Sequence, residues 1–462
     1  MNMNNDNISE LNRRDFLRGS SMATLMMMMG GVAIGAEETP SPTTSTNAFT
    51  NYKGEAAPVK VGVIGCGLWA REILKTLALL PNGPVVALCD PYAPFLRRAG
   101  NLAPKAEKYA QYQELLANKE VQAVIVATPS YQHKEIVLAA LQAGKHVYCE
   151  APLATTVEDA RAIAQAAKNA PKLNFQVGLQ NRSDKQAVNL GKFLRTGVLG
   201  RQIRVRGQAD KKTSWRLTSP NPDREKESNW RLSNATSPGL MGEIGIHQVD
   251  LASWYLMANP VSVSGLGSII NWNDGRDVCD SVTALFEYPG GVVLDYATTL
   301  ANSFEGELNV LYGSDCAIMF RDRRAWMFKE VDAPQLGWEI YAKKDAFYTE
   351  SGIVLAAGAT KQTAQEKGAK TDLVDETSPL NYALHAFLLN SNLVGTGVEL
   401  YAANYDATDI AGLKEYLATL EPNRLAAAGY KEGYTATLCA LKANEAIVTR
   451  QKITFQKEWF EV

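Results

Sequence analysis

The stretch Val59-Lys-Val-Gly-Val-Ile-Gly65-Cys-Gly67-Leu68-Trp69-Ala70 constrains this chain more than any other. Residues 61–64 are an apolar run too short for a helix and rich in β-branched side chains, which predicts a buried parallel strand. Gly65 and Gly67 permit a tight turn, and Ala70 lets a helix with Ile73, Leu74 and Leu77 at helical spacing pack close to the strand. That helix aims its N-terminal amides at the turn, a setting suited to phosphate. A second apolar run over 85–89 ends in Asp90, about twenty residues beyond the glycines, where a carboxylate meets a ribose hydroxyl. Together these features predict a dinucleotide site. Asp90 can accept from both ribose hydroxyls and repels a 2′-phosphate, so NAD is expected rather than NADP.

The same alternation continues. A helical stretch over 97–117 precedes a strand over 121–127 that ends in Thr128-Pro129-Ser130. A helix over 133–143, opened by His133, precedes a strand over 146–150 and Ala151-Pro152; a helix over 158–170 and a strand over 173–180 follow. Such βαβ units predict an α/β fold with a doubly wound parallel sheet. Past residue 180 the pattern changes to strands at 201–209, 261–270, 282–288, 292–300, 307–312 and 316–320. Hairpin signals at Tyr288-Pro-Gly-Gly291, Tyr312-Gly-Ser-Asp315 and Arg321-Asp-Arg-Arg324 predict a second, largely antiparallel sheet. The polar stretch 343–378 reads as a surface excursion, and helices over 380–393 and 430–449 close the chain. The expected units are a nucleotide-binding domain over 58–180 and a second domain over 181–462, whose closing helices can pack back on the first.

At 462 residues the chain is too long for one ordinary core, and a net charge of −2 gives no reason to expect nucleic acid. Its beginning reads as an address. Asn12-Arg13-Arg14-Asp15-Phe16-Leu17-Arg18 matches the twin-arginine export pattern, and 22–36 is apolar and ends in small residues. A signal over 1–36, a flexible linker over 37–57, passage through the twin-arginine (Tat) translocon and a periplasmic or otherwise exported protein are expected, with no membrane span in the mature form. Cys66, Cys89, Cys149, Cys279, Cys316 and Cys439 are scattered without C-x-x-C or metal spacing, so free thiols and no metal site are expected.

Chemistry concentrates in Gly242-Glu243-Ile-Gly-Ile-His247-Gln-Val-Asp250. On a helix Glu243, His247 and Asp250 fall at i, i+4 and i+7, on one face. An acid one turn from an imidazole orients it and raises its basicity, which suits a general base. Trp215 and Trp230 lie in polar loops with Arg216, Asn229 and Arg231, and indoles in such company stack on sugar faces.

Gly65-Cys-Gly-Leu-Trp-Ala70, Asp90, Ala127-Thr-Pro129, Gly144-Lys-His-Val-Tyr-Cys-Glu-Ala-Pro152 and Gly242-Glu-Ile-Gly-Ile-His-Gln-Val-Asp250, in this order, resemble the Gfo/Idh/MocA oxidoreductases. That is the family of glucose–fructose oxidoreductase and inositol dehydrogenase. The resemblance implies a Rossmann domain, a C-terminal α/β domain with an open sheet, and a homo-oligomer built on that sheet. It implies a cofactor set of Gly65, Gly67, Leu68, Trp69, Asp90, Thr128, Pro129, His133 and Glu150, with Glu150 at the nicotinamide ribose. On the other side it implies that His247 faces the substrate hydroxyl; by their own spacing and setting Glu243 is expected to hold that imidazole, and Asp250, Trp215 and Trp230 to lie toward the substrate. The family's Glu-Lys-Pro is here Glu150-Ala151-Pro152, so its lysine is absent. Lys211 or Lys212, in the polar loop after the strand at 201–209, is the expected replacement. The expected activity is hydride transfer between a sugar, polyol or glycoside carbon and tightly bound NAD. The alternatives are an NAD-dependent glycoside hydrolase and a non-catalytic sugar-binding protein.

Overall fold

The computed structural model describes residues 57–219, 221–342, 344–347, 350–355 and 377–462. The signal expected over 1–36 and its linker up to residue 56 lie outside the described residues, as does much of the stretch 343–378.

The first part runs β1 (Val61–Ile64), α1 (Leu68–Leu77), β2 (Val85–Cys89), α2 (Ala93–Leu102), β3 (Glu107–Tyr109), α3 (Tyr112–Ala117), β4 (Ala123–Val126), α4 (His133–Gln142), β5 (His146–Cys149), α5 (Val157–Lys168) and β6 (Phe175–Val177). The strands pair in parallel in the order β3-β2-β1-β4-β5-β6. This is the doubly wound fold expected from the sequence, with its switch point between β1 and β4. β1 and β4 are buried at every residue because helices cover both faces, which is why they are apolar throughout. The stretch 97–117 is not one helix. It breaks into α2, the edge strand β3 and α3, and exposed Glu107 and Lys108 leave no apolar pattern to announce the strand.

The second part runs α6 (Lys185–Leu194), β7 (Gln202–Ala209), α7 (Pro222–Ser228), a π-helical turn at Met241–Gly245 leading directly into α8 (Ile246–Leu256), then β8 (Ser262–Ser268), β9 (Ser281–Glu287), β10 (Val293–Thr299), β11 (Glu307–Gly313), β12 (Cys316–Arg321), β13 (Arg324–Lys329), β14 (Lys344–Phe347) and β15 (Glu350–Leu355). α9 (Pro379–Asn404), α10 (Ile410–Thr419), α11 (Tyr430–Thr449) and β16 (Ile453–Thr454) complete it. One sheet takes the order β14-β15-β13-β12-β11-β7-β10-β9-β8-β16. β7 and β10 are parallel and the other neighbours antiparallel. The turn from β12 to β13 places Asp322 and Arg323 at φ 48° and 60°, the left-handed pair that matches hairpin twist. β14 and β15 were expected to be irregular. β15 extends the sheet by pairing with the edge of β13, and β14 pairs with β15 in turn, each neighbour supplying what the polar stretch does not advertise.

The closing helices bind the two halves together. α9 buries Leu380, Leu384 and Phe387 in the same core as β1 and α1, and Phe387 meets Tyr148 edge-on at 5.6 Å. α11 lies between the domains: Thr437 Oγ1 accepts the Leu153 N–H at 3.0 Å, and Ile447 packs where a Cβ on Gly265 or Gly267 of β8 would sit at 2.7 Å. The six cysteines are unpaired. Among the described residues no helix is long and apolar enough to cross a membrane.

Candidate functional site

The carboxyl ends of β1, β2, β4 and β5 bring Gly65, Asp90, Thr128 and Glu150 to one edge of the first sheet. Gly65 has φ +89°, and a Cβ there would lie 2.7 Å from the Ala127 carbonyl, so only glycine fits. Gly67 opens on free space, and α1 starts beside it with no side-chain cap and no acid in its first turn. Its amides are left for an anion. Leu68 and Trp69 flank this turn and are exposed. Asp90 is nearly buried and pinned, Oδ2 accepting from Cys66 N–H and Oδ1 from Tyr92 N–H, each at 2.8 Å. Burial raises its pKa, while those bonds and the charge of Arg224 pull it down. Each oxygen keeps a lone pair for a hydroxyl. Among the described residues Thr128 Oγ1 is buried with no hydrogen-bond partner, an orphan that a ligand at this edge would satisfy. A bare glycine turn, free helix amides, a fixed acid and this orphan fit a dinucleotide.

Glu150 is buried, and Oε1 accepts the indole N–H of Trp69 at 2.8 Å. Burial pushes its pKa up to about 7, with Trp69 and the Ala151 N–H holding it down. His133, expected among the cofactor residues, stands behind them instead. Its Nδ1 lies 3.0 Å from the Pro152 carbonyl and its Nε2 3.0 Å from the Thr128 carbonyl, so the ring ties together the loops after β4 and β5. Pro129 precedes Ser130 in the first of these loops.

From the second domain, α8 presents His247. The imidazole is partly buried and, among the described residues, has no hydrogen-bond partner; burial lowers its pKa to about 4, leaving it neutral at physiological pH. Glu243 was expected to hold it and does not. Oε1 of Glu243 accepts from Ser130 Oγ at 3.0 Å and Oε2 from Arg231 Nε at 2.7 Å. The carboxylate is only 5% exposed, and a guanidinium satisfies such a group better than a neutral ring can. The π-helical turn that carries Glu243 also breaks the α-helical register on which the expectation rested.

Arg231 lies 4.4 Å over the Trp230 ring and 5.9 Å from that of Trp215. Trp230 is nearly buried and meets Tyr131 of the first domain edge-on, so it anchors the loop rather than offering a free face. Trp215, partly exposed, keeps a left-handed backbone at φ 61°. Asp250 is not free to meet a substrate either. It is 4% exposed and takes three bonds from Arg182 at 2.9–3.1 Å, at the wall of a cavity that Trp254, Lys431 and Glu432 also line. Lys211 and Lys212 are exposed, their backbone amides tied to Thr299 and Ser303, and no hydrogen bond or ion pair joins their side chains to Glu243 or His247. The cation that Glu243 meets is Arg231. Sequence reasoning missed the roles of Ser130, Arg182, Arg224 and Arg231. Ser130, Arg182 and Arg224 act through contacts distant in sequence, and Arg231, a lone arginine in a polar loop, carries no periodic signal.

The glycine turn, the sheet order and the acid at the end of β2 define a Rossmann domain built for a dinucleotide. Residues 59–179 match the family described as "Oxidoreductase family, NAD-binding Rossmann fold", and residues 188–318 match "GFO/IDH/MocA C-terminal domain". The chain belongs to the Gfo/Idh/MocA family, and its first domain binds NAD. Among curated relatives, inositol 2-dehydrogenase of Salmonella typhimurium is 29% identical over 200 residues, 43% of this chain and 54% of that protein. The chain thus spans about half the length of the curated relatives it matches. Among solved structures it resembles aldose-aldose oxidoreductase from Caulobacter crescentus, complexed with glycerol, at TM-score 0.60 and 19% identity over 86% of this chain and 100% of that one. It also resembles levoglucosan dehydrogenase in complex with NADH, at TM-score 0.62 and 19% identity over 86% and 99%. These two are likenesses of fold.

Proposed function

We propose that the protein is an NAD-dependent oxidoreductase that oxidises or reduces a hydroxyl-bearing carbon of a sugar, polyol or glycoside. The observation that carries this reading is His247, a neutral and unpartnered imidazole on a helix that Glu243 fastens to the loop bearing Thr128. Bound nicotinamide supplies hydride chemistry. The chain's own residues do the rest: His247 takes or returns the hydroxyl proton, and Arg231 holds Glu243, the acid one turn before that histidine. An arginine cannot serve as the proton carrier, which leaves that task to the histidine. The absent lysine is replaced by this division of labour rather than by Lys211 or Lys212. The matched relatives, named for inositol and for aldoses, support a polyhydroxylated substrate.

Export through the twin-arginine route belongs to the same proposal and is supported by the Arg13-Arg14 motif and the apolar stretch after it. So does a homo-oligomer. The sheet face away from α8 and α11 exposes Leu266 and Leu285, apolar side chains suited to a second copy. Purified protein mixed with NAD and a panel of sugars and inositols should show the absorbance of reduced nicotinamide, and His247→Asn should abolish it while leaving NAD binding intact. Release of nitrophenol from nitrophenyl glycosides without added NAD would instead establish the glycosidase. No response to any compound would leave a sugar-binding protein.

A further inference from the structure

Residues 214–219 and 221–237 leave β7, cross to the first domain and return to the π-helical turn. The crossing is fastened at its base: Arg216 Nη1 meets Glu225 at 3.1 Å and Nε meets Asp274 at 3.3 Å, while Asn229 both donates to the Leu217 carbonyl and accepts its N–H at 2.7 Å. From this base Arg224 reaches α2 and the residue before it. Its Cζ lies 4.1 Å from the centre of the Tyr92 ring and 5.1 Å from that of Phe95. The side chain is 18% exposed; Nη1 bonds Glu227 at 2.9 Å, but among the described residues Nε is buried with no hydrogen-bond partner. Burying a guanidinium N–H without an acceptor is costly, so the position calls for a ligand atom. The neighbouring carboxylate is Asp90, which feels the charge of Arg224. An acid at the end of β2 marks the adenosine end of a dinucleotide site.

We propose that Arg224 closes over the adenosine half of a bound dinucleotide and holds it against Asp90, so that the cofactor stays with the protein between turnovers. This rests on the NAD site of the first domain. One planar face of the guanidinium is taken by Tyr92, and its edge keeps donors for a hydroxyl or phosphate oxygen. The second domain supplies the arginine, so the nucleotide leaves only when this strap lifts. Ser130 and Tyr131, reached from the same strap by way of Glu243 and Trp230, mark its other footholds on the first domain.

The test compares wild type, Arg224→Ala and Arg224→Lys as full-length protein. The readouts are dinucleotide content after desalting, and the dissociation constants of NAD and NADP from quenching of tryptophan fluorescence. Arg224→Ala should lose dinucleotide on desalting and bind NAD about tenfold more weakly or worse, with Arg224→Lys between. Tyr92→Leu, which removes the platform and keeps the charge, should weaken NAD binding by a smaller factor, and it serves if Arg224→Ala melts early without ligand. NAD binding within about twofold of wild type in both Arg224→Ala and Tyr92→Leu overturns the proposal. A loss confined to NADP overturns it as well, because Arg224 would then read a 2′-phosphate. Wild type that binds neither dinucleotide brings down the NAD site itself, a different failure from a variant that binds as wild type does.

Discussion

Trp69 joins the glycine turn after β1 to the end of β5 by donating its indole N–H to Glu150 at 2.8 Å. That bond opposes the burial that lifts Glu150 to about 7. Trp69→Phe removes the donor while keeping most of the ring volume, so the carboxyl pKa rises further. The midpoint of the pH dependence of NAD binding should move upward by about half a unit or more. Fluorescence or calorimetric titrations across this range check it, and an unmoved midpoint excludes Glu150 from the pH response.

Removing the guanidinium at position 231 strands a carboxylate that is 5% exposed. Arg231→Ala should lower kcat about 100-fold, as expected when the carboxylate that fastens the His247 helix to the first domain loses its partner and the histidine shifts. Arg231→Lys should recover part of it by restoring a charge without the stacked, planar geometry. Steady-state kinetics as a function of pH distinguishes the two, and equal kcat for all three proteins would show that the charge is idle.

The Arg182–Asp250 pair is a matter of stability. Asp250→Ala takes the carboxylate from a largely buried guanidinium and should cost about 3 kcal/mol in denaturant unfolding. Replacing both partners with apolar residues of similar volume should recover most of that. If Asp250→Ala instead raised KM with unchanged unfolding, the residue would belong to substrate binding.

Acid should act through His146, whose Nδ1 accepts the Asn174 N–H at 2.9 Å and whose pKa is held down to about 4 by burial. An unfolded histidine titrates near ~6.5, so between ~6.5 and 4 the unfolded chain binds a proton that the folded one does not. Its contribution is therefore complete above ~6.5 and is lost as the pH falls toward 4. Relative to wild type, His146→Gln should lose about 2 kcal/mol less stability on acidification through that window. Thermal or urea melts at the two ends of the window measure it, and parallel pH slopes would show the imidazole to be protonated when folded.

Gly65→Ala tests the turn itself, since its Cβ would meet backbone rather than a movable side chain. It should abolish NAD uptake and lower the melting temperature, as read by desalting and calorimetry.

Features that rest on neighbours in sequence were legible in it. The apolar strands, the glycine turn, Asp90 and α11, which spans Tyr430–Thr449 where a helix over 430–449 was expected, follow from local periodicity and turn chemistry. What escaped depends on distance along the chain. Ser130 and Glu243 are 113 positions apart, and nothing in either neighbourhood says that their side chains meet. The helix placed Glu243 and His247 one turn apart, but spacing could not reveal that a better partner, Arg231, competes for the carboxylate. β14 and β15 were hidden for a related reason, since an edge strand takes its conformation from the strand it joins.

α9 and α11 come long after β6 in the chain, yet α9 fills the core beneath β1 and α11 bridges both sheets. A ribosome that has delivered only the first 180 residues has therefore produced a nucleotide-binding half with part of its interior still facing water. The nucleotide-binding half completes its interior only once α9 has packed beneath β1, so its stability is borrowed from a segment far along the chain.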